Sequence, residues 1–132
     1  MSSERSHWLE RARSYLRRSE ELEKQAGELL RSNEVAKASE MLWGSVATAV
    51  LALATTKGVK LASHGKMKDF VKQLALEARD EEILRTFEEV AEQLHANFYH
   101  EFLSAERVYR LVQDVHAFNR KIGELVERTL RG

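Results

Sequence analysis

The fold of this chain is decided by residues 41–54, MLWGSVATAVLALA. This stretch holds no charged residue, although 32% of the whole chain is Asp, Glu, Lys or Arg. Fourteen residues are too few to cross a bilayer as a helix, which takes about 20 apolar residues. We therefore expect the stretch to be buried by other parts of the chain or by a second copy of it.

Composition predicts a single domain, 1–132, long enough to bury a core of its own. Lys plus Arg number 21, as do Asp plus Glu, and this balance disfavours a general polyanion binder. The absence of cysteine excludes disulfides and thiolate zinc sites. The opening residues, MSSERSHWLERARS, contain no apolar run, so we expect no secretory signal and a cytoplasmic location. The surplus of Glu and Arg is typical of ion-pair-rich helices and of heat-adapted (thermophilic) proteins.

The pattern of apolar residues predicts an all-α fold. Proline is absent, only six glycines occur, and no segment alternates apolar and polar residues as a strand would. Apolar residues instead recur at three- and four-residue steps, which predicts helices at 6–30, 34–56, 64–77, 81–99 and 105–128. Because the link at 31–33 is so short, the first two helices should be antiparallel neighbours.

Polar residues mark the expected ends of these helices. The expected N-caps are Asn33, Ser63, Asp80 and Ser104. Gly58 should end the second helix, since glycine is common just beyond a helix C-terminus.

The last two helices each carry a predicted apolar face. In the fourth helix it consists of Ile83, Phe87, Val90, Ala91, Leu94 and Phe98. In the fifth it is a heptad seam over nearly three repeats, made of Val108, Leu111, Val115, Phe118, Ile122 and Leu125. Such a seam is expected to pack inside a bundle or in a dimer contact.

The segment 57–72 is a basic cluster with five lysines and one aspartate. The cluster could bind phosphates, in which case Lys60, Lys66 and the neighbouring His64 are the candidate residues. The alternative is that these lysines lie at the start of a surface helix and serve solubility.

No common catalytic motif occurs in the sequence. It has no glycine-rich phosphate loop, no Ser or Cys nucleophile motif and no HExxH zinc signature. Glu92-x-x-His95 has the spacing of one element of a di-iron helical bundle. Such a site needs a second Glu-x-x-His motif, and the only other one in the sequence, Glu4-x-x-His7, lies at the N-terminus. We therefore predict neither a metal site nor a cofactor.

Residues 94–100, LHANFYH, hold the candidate acid–base groups His95 and His100. Five residues apart on an ideal helix, the two side chains diverge by roughly 140°. They converge only if the helix frays near Tyr99. The alternative is that His95 is a partly buried histidine bonded to a carbonyl and His100 is a surface residue.

Two stretches resemble a known group of helical domains. The run ASEMLWGSVATAVLALATTKG, followed by a loop and SHGKM, resembles the HEPN domains (higher eukaryotes and prokaryotes nucleotide-binding). The run AEQLHANFYHEFLSAERVYRLVQDV is similar to the archaeal PaREP branch of that group, in which a Leu-His-x-Asn-Phe-Tyr core precedes a final heptad-like helix. The resemblance covers about residues 8–125.

This resemblance implies an antiparallel up-and-down four-helix bundle with an additional fifth helix, usually as a homodimer. Many HEPN domains are metal-independent ribonucleases, often toxins with an antitoxin partner. Others are inactive and bind nucleotides or assist nucleotidyltransferases. The resemblance also implies an archaeal source.

Active HEPN domains carry an arginine, four to six residues and then a histidine, often with asparagine after the arginine. His100 falls at the histidine position, His95 where the arginine should be and Ala96 in the asparagine position. A permanently charged guanidinium is thereby replaced by an imidazole that is mostly neutral at pH 7. Arg110 and His116 have the same loose spacing, but inside the last helix.

These observations give three functional hypotheses. The first is a non-catalytic or regulatory module that binds nucleotide or nucleic acid, with the candidate ligand-binding residues Asn97, Tyr99, His64, Lys60 and Lys66. The second is a metal-independent, toxin-like ribonuclease in which His100 is the general base and His95 holds the phosphate. The third is a structural module that dimerises through the 108–125 seam.

Overall fold

The computed structural model describes residues 3–132, and these form five helices and no strand. We number them α1 (Ser3–Arg31), α2 (Val35–Thr56), α3 (His64–Ala78), α4 (81–100) and α5 (Ala105–Arg131). Within α4, the α-helical segments Glu81–Arg85 and Glu92–His100 are joined by a π-helical segment, Thr86–Ala91. The predicted all-α class is confirmed, and the predicted helix bounds differ from these by three residues at most.

Helix α2 is the centre of the fold, because it contacts each of the other four helices. Its residues Leu42, Val46, Ala49, Val50 and Leu53 are almost inaccessible to solvent, and every other residue of the stretch 41–54 is buried or partly buried, so the chain itself covers the stretch. By length and composition alone the 22 residues of α2 could cross a membrane, unlike the 14 charge-free residues considered by themselves. Within the fold 56% of its most apolar window is buried, so packing by the chain itself accounts for its composition.

The turn between α1 and α2 differs from the prediction. Asn33 adopts a left-handed conformation, with φ 58°, and the N–H of Glu34 donates a hydrogen bond to the Leu29 carbonyl over 2.8 Å. This is the geometry that closes a helix C-terminus. Asn33 therefore ends α1 instead of capping α2, whose N-cap residue, Glu34, makes no side-chain capping bond.

The other predicted helix ends are confirmed. Gly58, with φ 68°, follows the C-terminus of α2. The side chains of Ser63, Asp80 and Ser104 each accept a hydrogen bond from a backbone N–H in the first turn of α3, α4 and α5, respectively.

The heptad seam of α5 packs inside the chain. Val108, Val115 and Ile122 are fully buried, and α5 lies against α2. The apolar positions of the seam are therefore already covered by the same chain.

Candidate functional site

Two histidines lie against one tryptophan where α2, the start of α3 and the last part of α4 meet. The ring of Trp43 is 5.3 Å from that of His64 and 4.9 Å from that of His95, measured between centroids. We call these residues, with Glu40 and Glu92, the histidine cluster. Trp43 and Glu40 were not among the residues predicted for the site, although residues three apart share one face of a helix.

Glu40 orients the imidazole of His95. The Nδ1 atom of His95 is 2.9 Å from Oε1 of Glu40, and both side chains are partly buried. In the neutral ring this bond places the proton on Nδ1 and leaves Nε2 as a hydrogen-bond acceptor. His95 is therefore bonded to a carboxylate and not to a backbone carbonyl.

Glu92 lies beside His64 and forms the second carboxylate–imidazole pair of the cluster. Its Oε1 atom lies 2.7 Å from Nε2 of His64, which is an ion-pair distance, but the contact lacks the alignment of a hydrogen bond. The oxygen is buried and accepts no hydrogen bond. A small rotation of the imidazole would let Nε2 of His64 donate a hydrogen bond to this oxygen.

The π-helical segment of α4 immediately precedes Glu92. The Glu92 N–H donates a hydrogen bond to the Phe87 carbonyl, five residues back. Phe87 is fully buried, and its ring is 5.8 Å from that of Trp43 and 6.3 Å from that of His64. π-Helical segments are rare in proteins, and those that occur are often found at functional sites. The apolar spacing of the sequence did not indicate it.

Asn97 connects α4 to α2 and to the loop after α4. Its Nδ2 atom donates a hydrogen bond to Ser39 Oγ over 2.9 Å, and its Oδ1 atom accepts one from the Leu103 N–H over 2.7 Å. The side chain is buried. Asn97 takes the inner position on α4, and Phe98, which was predicted to be buried, is exposed.

The end of α4 does not bring His95 and His100 together within one chain. The helix continues through His100 without fraying, and His100 is exposed. Tyr99 stands edge-on to His95, with 5.6 Å between ring centroids, and is 64% exposed. Of the candidate site residues, the structure thus brings together His64, His95 and Tyr99.

The two candidate lysines lie apart from each other. Lys66 is in the first turn of α3, two residues after His64. Lys60 lies in the loop between α2 and α3 and lines a separate cavity that also contains Trp8.

Residues 3–132 contain no group of three or more His, Asp or Glu side chains that could hold a metal ion. Arg110 and His116, the other pair with arginine–histidine spacing, each form an ion pair with a different glutamate. Arg110 is 2.7 Å from Glu106, and His116 is 3.0 Å from Glu23 on α1.

Comparison with known proteins identifies the family of this chain. No curated protein and no solved structure matches the chain. The model of the archaeal PaREP1/PaREP8 family matches residues 14–118, which include α2, α3 and α4 and therefore the whole histidine cluster. The chain belongs to the archaeal PaREP1/PaREP8 family.

Proposed function

We propose that this chain is a HEPN-like domain, an up-and-down four-helix bundle with a fifth helix, that binds nucleotide or nucleic acid at the histidine cluster. The short turn between α1 and α2 and the central position of α2 support this arrangement. The observation that carries the proposed function is the pair of imidazoles against Trp43, each beside a carboxylate.

Ring faces and imidazole nitrogens are suited to nucleotides. Unpaired bases stack on aromatic side chains, and the exposed ring of Tyr99 next to His95 offers such a surface. Nε2 of His95 is free of the bond to Glu40 and can bond a base edge or a phosphate. Lys66, close in sequence to His64, adds positive charge for a phosphate.

A binding measurement tests this function. Fluorescence anisotropy of a labelled single-stranded RNA, with a mononucleotide as competitor, should show binding in the presence of a chelator. His95→Ala and Tyr99→Ala should each weaken it about 10- to 100-fold, as expected from the loss of one stacking or bonding group. His7→Ala, on the exposed side of α1, is the matched control. Equal affinities of all variants would exclude the histidine cluster as the binding site.

A metal-independent ribonuclease is the second candidate function. It is favoured by the bond from Nδ1 of His95 to the Glu40 carboxylate, because a carboxylate that accepts from Nδ1 prepares Nε2 to exchange a proton. His100 lies in a different environment of the same chain, so a reaction that uses both histidines requires His100 from a second copy. An RNA cleavage assay with chelator should then show a loss of about 10²–10⁴-fold for His95→Ala and for His100→Ala.

A homodimer is part of the proposal. Since the 108–125 seam is covered within the chain, we expect the second copy to pack on exposed aromatic residues near the α4–α5 turn. These are Phe102 and Tyr109, which leaves Tyr99 open to a base. If the chain is instead the structural dimerisation module of the third hypothesis, we expect it to dimerise through these aromatic residues and not through the 108–125 seam.

A further inference from the structure

A cavity of about 420 Å³ lies on another side of the molecule, between the first part of α1, the end of α2 and the loop that follows α2. Its lining includes Trp8, Arg11, Tyr15 and Lys60. The volume is within the range of small-molecule sites, about 300–1,000 Å³, and near its lower end. The cavity therefore has room for one ring system with a substituent.

The charge of this cavity differs from that of the rest of the surface. Arg11 and Lys60 line it, and no Asp or Glu does, although acidic and basic residues are equally frequent in the chain. Four other cavities each include at least one glutamate in their lining. Two cations with no carboxylate in the same lining favour an anionic ligand in this cavity.

Two aromatic residues of α1 supply part of the apolar lining of the cavity, beside aliphatic residues of α2 and the loop. Trp8 and Tyr15 are seven residues apart, which is two helical turns, so both lie on the same face. Trp8 is 39% exposed, and the Tyr15 hydroxyl is 3.5 Å from Nη2 of Arg11. Flat rings beside a guanidinium can hold an aromatic ring by stacking and its acidic group by charge-assisted bonds.

Gly58 fixes the position of Trp8. It has φ 68°, and a Cβ atom built on it would lie 2.9 Å from Cζ3 of Trp8. The indole thus packs directly on the backbone of the loop that also carries Lys60. This contact holds the aromatic side of the cavity on α1 against the loop that carries Lys60.

We infer that this cavity binds a small planar aromatic anion, one ring system that bears a single phosphate or carboxylate. The ring packs against Trp8 and Tyr15, and the anionic group bonds Arg11 and Lys60. The site shares none of these residues with the histidine cluster, so it can exist whether or not RNA binds there.

Isothermal titration calorimetry of the full chain tests the inference with three probes. Adenosine monophosphate and indole-3-carboxylate represent the two sources of an aromatic anion, and inorganic phosphate represents the anion alone. We expect at least one aromatic probe to bind at least 10-fold more tightly than phosphate. Arg11→Ala, Lys60→Ala and Trp8→Leu should each weaken it at least 10-fold.

Matched controls are Arg107→Ala on α5 and Lys24→Ala on α1, both exposed and remote from the cavity lining. These should leave affinity unchanged. His95→Ala should leave the affinity for indole-3-carboxylate, which is not a nucleotide, unchanged, and this separates the cavity from the histidine cluster. Circular dichroism identifies any variant that fails to fold, and Trp8→Phe then replaces Trp8→Leu. Binding of phosphate as tight as that of the aromatic probes, binding unaffected by all three cavity substitutions, or no binding of either aromatic probe at millimolar concentration would overturn the inference.

Discussion

Asn97 on α4 and Ser39 on α2 are joined by a hydrogen bond of 2.9 Å between Nδ2 and Oγ. The other end of the same amide accepts the N–H of Leu103, beyond the end of α4, over 2.7 Å. Asn97 therefore joins two helices and the loop that leads to α5. Because it is buried and both ends of its amide are bonded within the chain, Asn97 is not available to a ligand.

Asn97→Ala should lower the free energy of unfolding by about 2 kcal/mol. The substitution leaves the Leu103 N–H without its partner and removes the bond that the Ser39 hydroxyl accepts, and an unsatisfied buried group costs about 1–3 kcal/mol. Urea unfolding followed by circular dichroism measures the change. Gln93→Ala, on the same helix and at a side chain that makes no hydrogen bond within residues 3–132, should change the free energy of unfolding by less than about 0.5 kcal/mol. Equal stability of the two variants would contradict the structural role of Asn97.

Glu40→Ala should change the tautomer of His95. In the native chain the carboxylate accepts a bond from Nδ1, so the neutral ring should carry its proton there. Without the carboxylate this preference is lost. Long-range ¹H–¹⁵N NMR spectra of the histidine rings report the tautomer directly. Glu34→Ala, at the start of α2, is the control that should leave the His95 signals unchanged. A native His95 protonated on Nε2 would show that Glu40 does not orient it.

The helices could be predicted from the sequence because their signals are local. Apolar spacing and the capping residues Ser63, Asp80 and Ser104 act within one or two turns of the chain. The role of Asn33 was mistaken because an asparagine can either cap the next helix or adopt a left-handed turn after the previous one. Which it does depends on the geometry of the connection, not on neighbouring residue types.

The site was less predictable because its contacts join distant parts of the chain. His95 was a candidate from the sequence, but its partner Glu40 is 55 residues away. Ser19 interrupts the apolar face of α1 in the sequence, yet it is buried and donates a hydrogen bond to the Ser45 carbonyl over 2.7 Å. Residue spacing within a helix cannot reveal which face of α2 meets α1 or α4.

Gly58→Ala should destabilise the chain by about 1–2 kcal/mol. An L-residue in the left-handed region costs about this amount, and the added Cβ would also collide with Trp8. Thermal unfolding measures the loss. Gly123→Ala is a matched control, because Gly123 lies inside α5 with no atom within 4 Å of an added Cβ. That substitution should stabilise the helix by about 0.5–1 kcal/mol. Stabilisation by both substitutions would contradict the contact between Gly58 and Trp8.

Asp80 should make stability depend on pH in the acid range. Its carboxylate is bonded to Nζ of Lys121 at 2.6 Å, and this bond holds the pKa of Asp80 below its usual range. Because the folded chain then binds the proton more weakly than the unfolded chain, the contribution is fully present above about pH 4. It is lost as the pH falls further, through the lowered pKa.

The comparison of Asp80→Asn with the native chain measures this effect. Asparagine keeps an acceptor for the Glu82 N–H at the start of α4 but removes the charge that faces Lys121. The difference in unfolding free energy between the two proteins should be constant from pH 5 to 7 and shrink below about pH 4. Asp80→Ala should cost about 1 kcal/mol more at neutral pH, since it also removes the cap. A difference between native and Asp80→Asn that does not change with pH would exclude the ion pair as its cause.

The proposed homodimer should depend on aromatic residues around the α4–α5 turn and not on the heptad seam. Phe102 is 55% exposed and Tyr109 is 48% exposed, so the double change Phe102→Ser, Tyr109→Ser should leave the folded monomer intact. Loss of an aromatic contact at the centre of an interface costs about 2 kcal/mol or more. Analytical ultracentrifugation should therefore find a native dimer and a variant whose dissociation constant is at least 10-fold higher. Val115→Ser, in the fully buried seam, should instead lower the unfolding temperature, because Val115 supports the fold of the single chain. If Val115→Ser abolished the dimer while leaving the unfolding temperature unchanged, the interface would lie at the seam and the assignment to the aromatic residues would be wrong.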